Sequence, residues 1–158
     1  VVEASAATLF AAGAKHVVAV TRNDPELHRV LQACGCQAVV NDRADEGMGA
    51  SIAAGVVATF TSSGWLIALG DMPSIRVATI KAVMTALGNG SRIVAPTMNG
   101  KRGHPVGFSV FYREWLRALT GDTGAREILK ADAALVEEVS VDDVGIFADI
   151  DTPVDLKA

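Results

Sequence analysis

Asp71 follows an apolar run, Trp65 to Leu69, within the segment Gly70-Asp71-Met72-Pro73. Such a run reads as a buried strand with no other use for a carboxylate, so Asp71 is expected at a strand tip. A carboxylate there can hold Mg2+, a hard cation that usually binds through one or two carboxylates plus phosphates. The same residue can instead cap a helix started by Pro73. A second acidic signal is Asp149-Ile150-Asp151-Thr152-Pro153. If Phe147 to Asp151 is extended, Asp149 and Asp151 point to one side. Two strand-tip aspartates, Asp71 and Asp151, can then converge on one ion. Metal neutralisation of a transferring phosphate is the chemistry this pattern serves. Asp151 can also cap a helix that Pro153 begins.

Three further segments carry polar groups between expected elements. Gly100-Lys101-Arg102-Gly103-His104-Pro105 reads as a loop whose backbone approaches something closely. Gly121-Asp122-Thr123-Gly124-Ala125-Arg126 reads as a helix start, where backbone N–H groups and Arg126 can meet an anion. Asn41, Gly47 and Ser51 follow a strand and open a helix, and an amide at a strand end can read a base edge or simply make a turn. The chain has no GxGxxG, no GxxxxGK[ST] and no GxSxG.

The elements that must position these residues follow from periodicity. Val2 to Phe10 has helical spacing and Gly13 closes it. His16 to Thr21 is a strand, Asp24-Pro25 starts a helix that Gly35 closes, and Gln37 to Asn41 is a second strand. A helix opens at Gly47-Met48-Gly49. After Trp65–Leu69, a helix from Pro73 or Ser74 runs to Gly88. Arg92 to Pro96 and Val106 to Val110 are strands, Trp115 to Leu119 and Thr123 to Ala131 are short helices, and Leu135 to Val141 and Phe147 to Ile150 are late strands. Alternation of this kind predicts one α/β sandwich domain with a mostly parallel sheet. Ligands in such folds bind beyond the carboxyl ends of the strands, where the polar segments above fall.

Half of the 158 residues are apolar and a fifth are charged, enough for a sizeable core. The formal charge of -4, with scattered basic residues, argues against a nucleic-acid partner. No apolar run reaches the ~20 residues of a membrane span. Cys34 and Cys36 are too close to bridge without strain and read as small apolar residues. Free thiols suit a reducing compartment, so a cytoplasmic protein is expected.

Taken in order, LGDMP (Leu69–Pro73), GHPV (Gly103–Val106), GDTGAR (Gly121–Arg126) and DIDTP (Asp149–Pro153) resemble the molybdenum-cofactor nucleotidyltransferases. The segment from Asn41 through Gly47 to Ser51 fits as well, so the resemblance covers essentially the whole chain. It implies a Rossmann-like, three-layer nucleotide-diphospho-sugar transferase fold. It also implies transfer of CMP or GMP from an NTP to the phosphate of molybdopterin, with release of pyrophosphate. Asp71 matches the family aspartate on Mg2+, and Asp151 resembles a second metal-side carboxylate. Asn41, Gly47 and Ser51 match the nucleotide side; His104, Pro105 and Arg126 match the acceptor side. GHPV resembles the CTP-using branch more than the GTP-using one. A molybdoenzyme apoprotein is a candidate partner.

One departure stands out. The family opens with a strand and a glycine-rich loop, LAAGxSxRMGxxK, that cradles the NTP phosphates. Here Ala11-Ala12-Gly13 is expected to be a helix end, followed by Ala14-Lys15-His16. The chain, which opens without Met, is expected to begin just after that loop, to leave a gap in the sheet and to be a poor catalyst by itself. The rival readings are a sugar- or polyol-phosphate nucleotidyltransferase of the same superfamily, a non-catalytic nucleotide- or cofactor-binding module, and a receiver-like domain with Asp71 as phospho-acceptor.

Overall fold

The computed structural model describes residues 1–150. Helix α1 (Val2–Ala11) leads to β1 (Val18–Thr21), α2 (Pro25–Ala33) and β2 (Gln37–Val40). Asp24 caps α2 as its sequence predicts, accepting from the Glu26 and Leu27 amides, with Pro25 in the first turn. A 3-10 turn (Ala44–Glu46) precedes α3 (Met48–Ala58), β3 (Gly64–Ile67) and α4 (Val77–Gly88). Then follow β4 (Ile93–Met98), β5 (Lys101–Arg102), β6 (Val106–Ser109), α5 (Arg113–Arg117), α6 (Arg126–Ala131) and β7 (Val136–Ser140).

The strands form two sheets. β1 and β2 pair parallel. β3, β6 and β4 lie side by side, and β5 and β7 both pair with β4. β6 is antiparallel to both β3 and β4, and β7 is parallel to β4. Thus β3, β4 and β7 run one way and β6 is the reversed strand between them. Reversal is what lets the short loop after β5 bring His104 to the same sheet end as Asp71.

Helices cover both faces. Val56 and Ile52 of α3 pack with Trp65, Ile67, Ile93, Ala95, Val106 and Phe108, together with Leu116 of α5 and Ile128 of α6. On the other face Leu9 of α1, Ala12 just past its end, and Ile80 and Met84 of α4 pack on Leu66 and Leu69. A Cβ on Gly107 would meet Leu87 and Val83 of α4, which confirms that alternate residues of β6 face opposite layers. The result is a three-layer α/β sandwich. Burial is uneven: β4 is buried from Ile93 to Thr97, whereas β1 and β3 are half-buried along their whole length. α1 spans both sheets, with Ala6 and Phe10 packed alongside Val17 and Ala19, and Leu9 and Ala12 near Leu66 and Leu69.

Several expected boundaries shift. α4 starts at Val77 rather than at Pro73 or Ser74; residues 70–76 form turns. Val144–Phe147 is a 3-10 turn and no strand covers Phe147–Ile150, so strand alternation does not place Asp149. α6 is six residues, starting at Arg126 rather than Thr123. Lys101 and Arg102 are not loop residues. They pair with Met98 and Thr97 across an Asn99-Gly100 turn, a dipeptide suited to the positive φ angles of 53° and 76° found there. Cys34 and Cys36 are free thiols, and Cys36 sits in the α1–α2 core. Among the described residues no helix is long and apolar enough to cross a membrane.

Candidate functional site

β2 and β3 end, and β6 begins, at one edge of the sandwich, and the polar loops gather there in two corners. Asp71 lies just past β3. The loop before it is pinned by Ser5 of α1, whose hydroxyl donates to Gly70 O at 2.9 Å. The loop after it is pinned by the Ile150 amide, which donates to Asp71 O at 2.9 Å. The carboxylate is left unused by these bonds. Its Oδ1 is buried and makes no hydrogen bond among the described residues. His104, in the loop two residues before β6, stands within electrostatic reach of both Asp71 and Asp149. Burial pushes its imidazole below the usual histidine pKa, and the two carboxylates oppose that only in part. Its Nδ1 is likewise buried and without a partner among the described residues. Buried polar atoms are nearly always hydrogen-bonded, so two orphans in one corner mark a place shaped for something else.

The second corner is built from Asn41, Gly47 and Ser51. Asn41 is 7% exposed. Its Nδ2 donates to Ser51 Oγ at 3.2 Å and its Oδ1 accepts from the Arg43 amide at 3.0 Å. Gly47 has φ of 108°, which favours glycine, and a Cβ there would stand 2.6 Å from Gly121 O. At Gly49 a Cβ would stand 2.6 Å from Thr120 O, and the Gly49 amide donates to Gly121 O at 2.8 Å. The start of α3 is therefore zipped to the 120–122 loop, backbone against backbone. A hollow of about 380 Å³ adjoins this corner, lined by Asn41, Arg43, Ala50, Ala54, Arg117 and Thr120 among others.

The sequence-predicted residues thus divide. Asp71 and His104 are brought together; Asn41, Gly47 and Ser51 are brought together. Arg126 opens α6, exposed, and forms no ion pair among the described residues. Because α6 is only six residues long, Arg126 offers a guanidinium more than a helix dipole. Pro105 is fully buried, so it shapes the loop under His104 and offers no surface to an acceptor, contrary to expectation. Asp151 lies outside the described residues. Asp149 was singled out in the sequence only as the neighbour of Asp151, yet it is the carboxylate of that pair that the described structure puts near His104. Sequence reasoning missed Asp143, a carboxylate 2% exposed that ties the chain near Asp71 to the segment carrying Asp149. No periodicity or motif signals it.

The carboxylates fit a hard cation in kind. Among the described residues there is no cluster of three or more metal-ligating side chains. Mg2+ does not need one, since it keeps waters and takes phosphate oxygens alongside one or two carboxylates. The unpartnered Oδ1 of Asp71 is a suitable first ligand.

Residues 1–139 match the model of the MobA-like NTP transferase domain. Nicotine blue oxidoreductase of Paenarthrobacter nicotinovorans is 31% identical over 122 residues, covering 72% of this chain. The chain spans 59% of the length of that relative. Among solved structures, Rv0371c of Mycobacterium tuberculosis superposes with a TM-score of 0.81 at 23% identity, over 99% of this chain and 80% of that one. The same protein in complex with manganese gives 0.76 at 22% identity, over 99% and 83%. A nucleotidyl transferase of Methanothermobacter thermautotroptrophicus gives 0.80 at 21% identity, over 99% and 76%. At these identities the structural likeness establishes the nucleotide-diphospho-sugar transferase fold.

Proposed function

Because the chain belongs to the MobA-like NTP transferase domain family, we propose that it works as a nucleotidyltransferase that moves CMP, or GMP, from an NTP to the phosphate of molybdopterin and releases pyrophosphate. The observation that carries the reading is the buried, unpartnered Oδ1 of Asp71 at the tip of β3, with His104 and Asp149 in the same corner. An oxygen of the acceptor phosphate attacks the α-phosphorus as the bond to the bridging oxygen of the β-phosphate breaks. No side-chain nucleophile is needed; positioning and electrostatics carry the rate.

Asp71 is the proposed metal-side carboxylate, with Asp151 as the second. Bound there, Mg2+ would offset charge on the transferring phosphate. Manganese has the same taste for oxygen ligands. Asn41 and Ser51 hold the nucleotide side, and Gly47 lets ligand and backbone come close. On the acceptor side Arg126 offers a guanidinium fork to phosphate. His104, kept neutral by burial, offers one donor and one acceptor nitrogen. The preference for CTP rests on GHPV at Gly103–Val106. A molybdoenzyme apoprotein as recipient and a cytoplasmic location complete the reading. We also propose that a strand and glycine-rich phosphate loop occupies the gap between β1 and β3. In support, the two half-buried strands belong to separate sheets yet share α1 as a cover.

The test is pyrophosphate release from CTP and from GTP, with Mg2+ or Mn2+, offering molybdopterin, a sugar phosphate and a polyol phosphate as acceptors. Turnover only with a sugar or polyol phosphate would move the protein to another branch of the superfamily, and nucleotide binding without any turnover would make it a binding module. Undiminished activity of Asp71→Ala would sink the mechanism. A second reading, oxidoreductase, is raised by the relative from Paenarthrobacter nicotinovorans, a nicotine blue oxidoreductase. Reduction of nicotine blue by the protein with a reduced nicotinamide nucleotide, without pyrophosphate release, would favour it.

A further inference from the structure

Asp71 and His104 stand on two different loops, and a third segment, Asp142 to Ile150, touches both. The His104 amide donates to Ile146 O at 3.0 Å, and the Ile150 amide donates to Asp71 O at 2.9 Å. The fit is close. A Cβ on Gly103 would stand 2.5 Å from Ile146 O, and one on Gly145 would overlap Ser74 O.

One side chain fastens this segment to the body of the protein. Asp143 is 2% exposed. Its Oδ2 accepts from the Arg76 amide at 2.9 Å and from Thr79 Oγ1 at 2.6 Å. Its Oδ1 accepts from the Gly145 amide at 3.0 Å. The Arg76 guanidinium adds a bond to Asp142 O at 2.8 Å. Arg76 precedes α4 and makes no side-chain cap of its own, so Asp143 caps that helix from a distance of 67 residues along the chain. A buried carboxylate with three donors is confined to one geometry, because losing any donor leaves charge unsatisfied.

We propose that Asp143 is a positioning residue for nucleotidyl transfer: by fastening the 142–150 segment to the start of α4, it sets Asp71, His104 and Asp149 as one cluster. The inference rests on the nucleotidyltransferase reading for its consequence, though not for its geometry. A helix cap alone would affect stability and leave the turnover of the folded protein unchanged. A positioning role lowers kcat while the protein stays folded.

Three variants test it: Asp143→Asn, Thr79→Val, which removes one donor and keeps the shape, and Thr79→Ser, which keeps the hydroxyl. Amide hydrogen exchange is read at His104 and Ile150 and compared with Ile93 and Phe108 in the buried strands. In Thr79→Val the first two are expected to exchange at least about tenfold faster while the strand amides hold. In the same variant kcat falls roughly tenfold to hundredfold, with KM for the NTP changed less than about twofold. Thr79→Ser restores both. Should Asp143→Asn fail to fold, Thr79→Val carries the test. Unchanged exchange at His104 and Ile150 overturns the proposal, and so does faster exchange with kcat intact. If the unsubstituted protein transfers no nucleotide, the functional reading falls by itself, and the exchange data still decide whether Asp143 sets the cluster.

Discussion

The two corners of the sheet edge are built on opposite plans. Around Asn41 the side-chain amide is satisfied at both ends, by Ser51 and by the Arg43 amide, and glycines at 47 and 49 bring two backbones into contact. Around Asp71 the backbone is tied down on both sides, but Asp71 Oδ1 and His104 Nδ1 are buried without partners among the described residues. A satisfied network rigidifies; an unsatisfied one is costly to keep unless a ligand completes it. The first corner is thus a fixed frame, which the proposed function gives to the nucleotide, and the second is where a buried charge is left to be met. A protein can hold an unpartnered carboxylate only if the surrounding backbone is fixed independently, which is what Ser5, Ile150 and Asp143 provide.

The contrast is most easily broken at Asp71. Asp71→Asn keeps the shape and removes the charge, so transfer should fall by roughly a hundred- to a thousandfold. The folded state should hold or gain slightly, because a buried charge is gone. Pyrophosphate release and thermal unfolding check the two halves; a matching loss of stability would turn Asp71 into a structural cap. Next in size is Gly49→Ala in the satisfied corner. Its methyl would meet Thr120 O, so overpacking should cost about 1–3 kcal/mol in a denaturant titration. Asn41→Ala should cost about 1–2 kcal/mol by the same measurement, because Ser51 and the Arg43 amide lose their partner. A negligible cost would mean that Asn41 is not part of a frame.

The smallest effect concerns pH. His104 titrates below the usual histidine value in the folded protein because it is buried. The unfolded chain therefore binds more protons in the interval between the two values, and stability drops as pH falls through it. The stability contributed is present above the ordinary histidine pKa of about 6.5. It is lost progressively below that value, down to the folded one. Unfolding midpoints measured from pH 7.5 to 5 should decline less steeply in His104→Gln than in the unsubstituted protein. Parallel declines would place the acid sensitivity elsewhere.

Much of this arrangement was legible in the sequence. The run Trp65–Leu69 announced a strand, though β3 is half-buried rather than buried, and the carboxylate after it announced a strand tip; the structure ends β3 at Ile67 and places Asp71 four residues on. Asp24-Pro25 announced a helix start, and Asp24 caps α2. The sequence puts Asn41, Gly47 and Ser51 at one sheet edge, and the structure adds the hydrogen bond from Asn41 to Ser51. Turns were harder to read. Pro73 suggested a helix four residues before α4 begins, because proline fits the first turn of a helix and many other turns equally well. The expected strand at Phe147–Ile150 failed for a similar reason. Short apolar runs do not distinguish a strand from a 3-10 turn when tertiary contacts decide.

What the chain order determined by itself is local. Alternating apolar runs and caps fix which segments become helices and strands, because burial of one face and satisfaction of backbone groups are decided within a few residues. The reversal of β6, the burial of Pro105 and the meeting of His104 with Asp71 and Asp149 depend on which strands pair. Above all, the link from Asp143 to Arg76 and Thr79 joins residues more than sixty positions apart. A hydrogen bond between such distant groups leaves no periodic trace in sequence; it exists only once the packed layers have brought them within 3 Å.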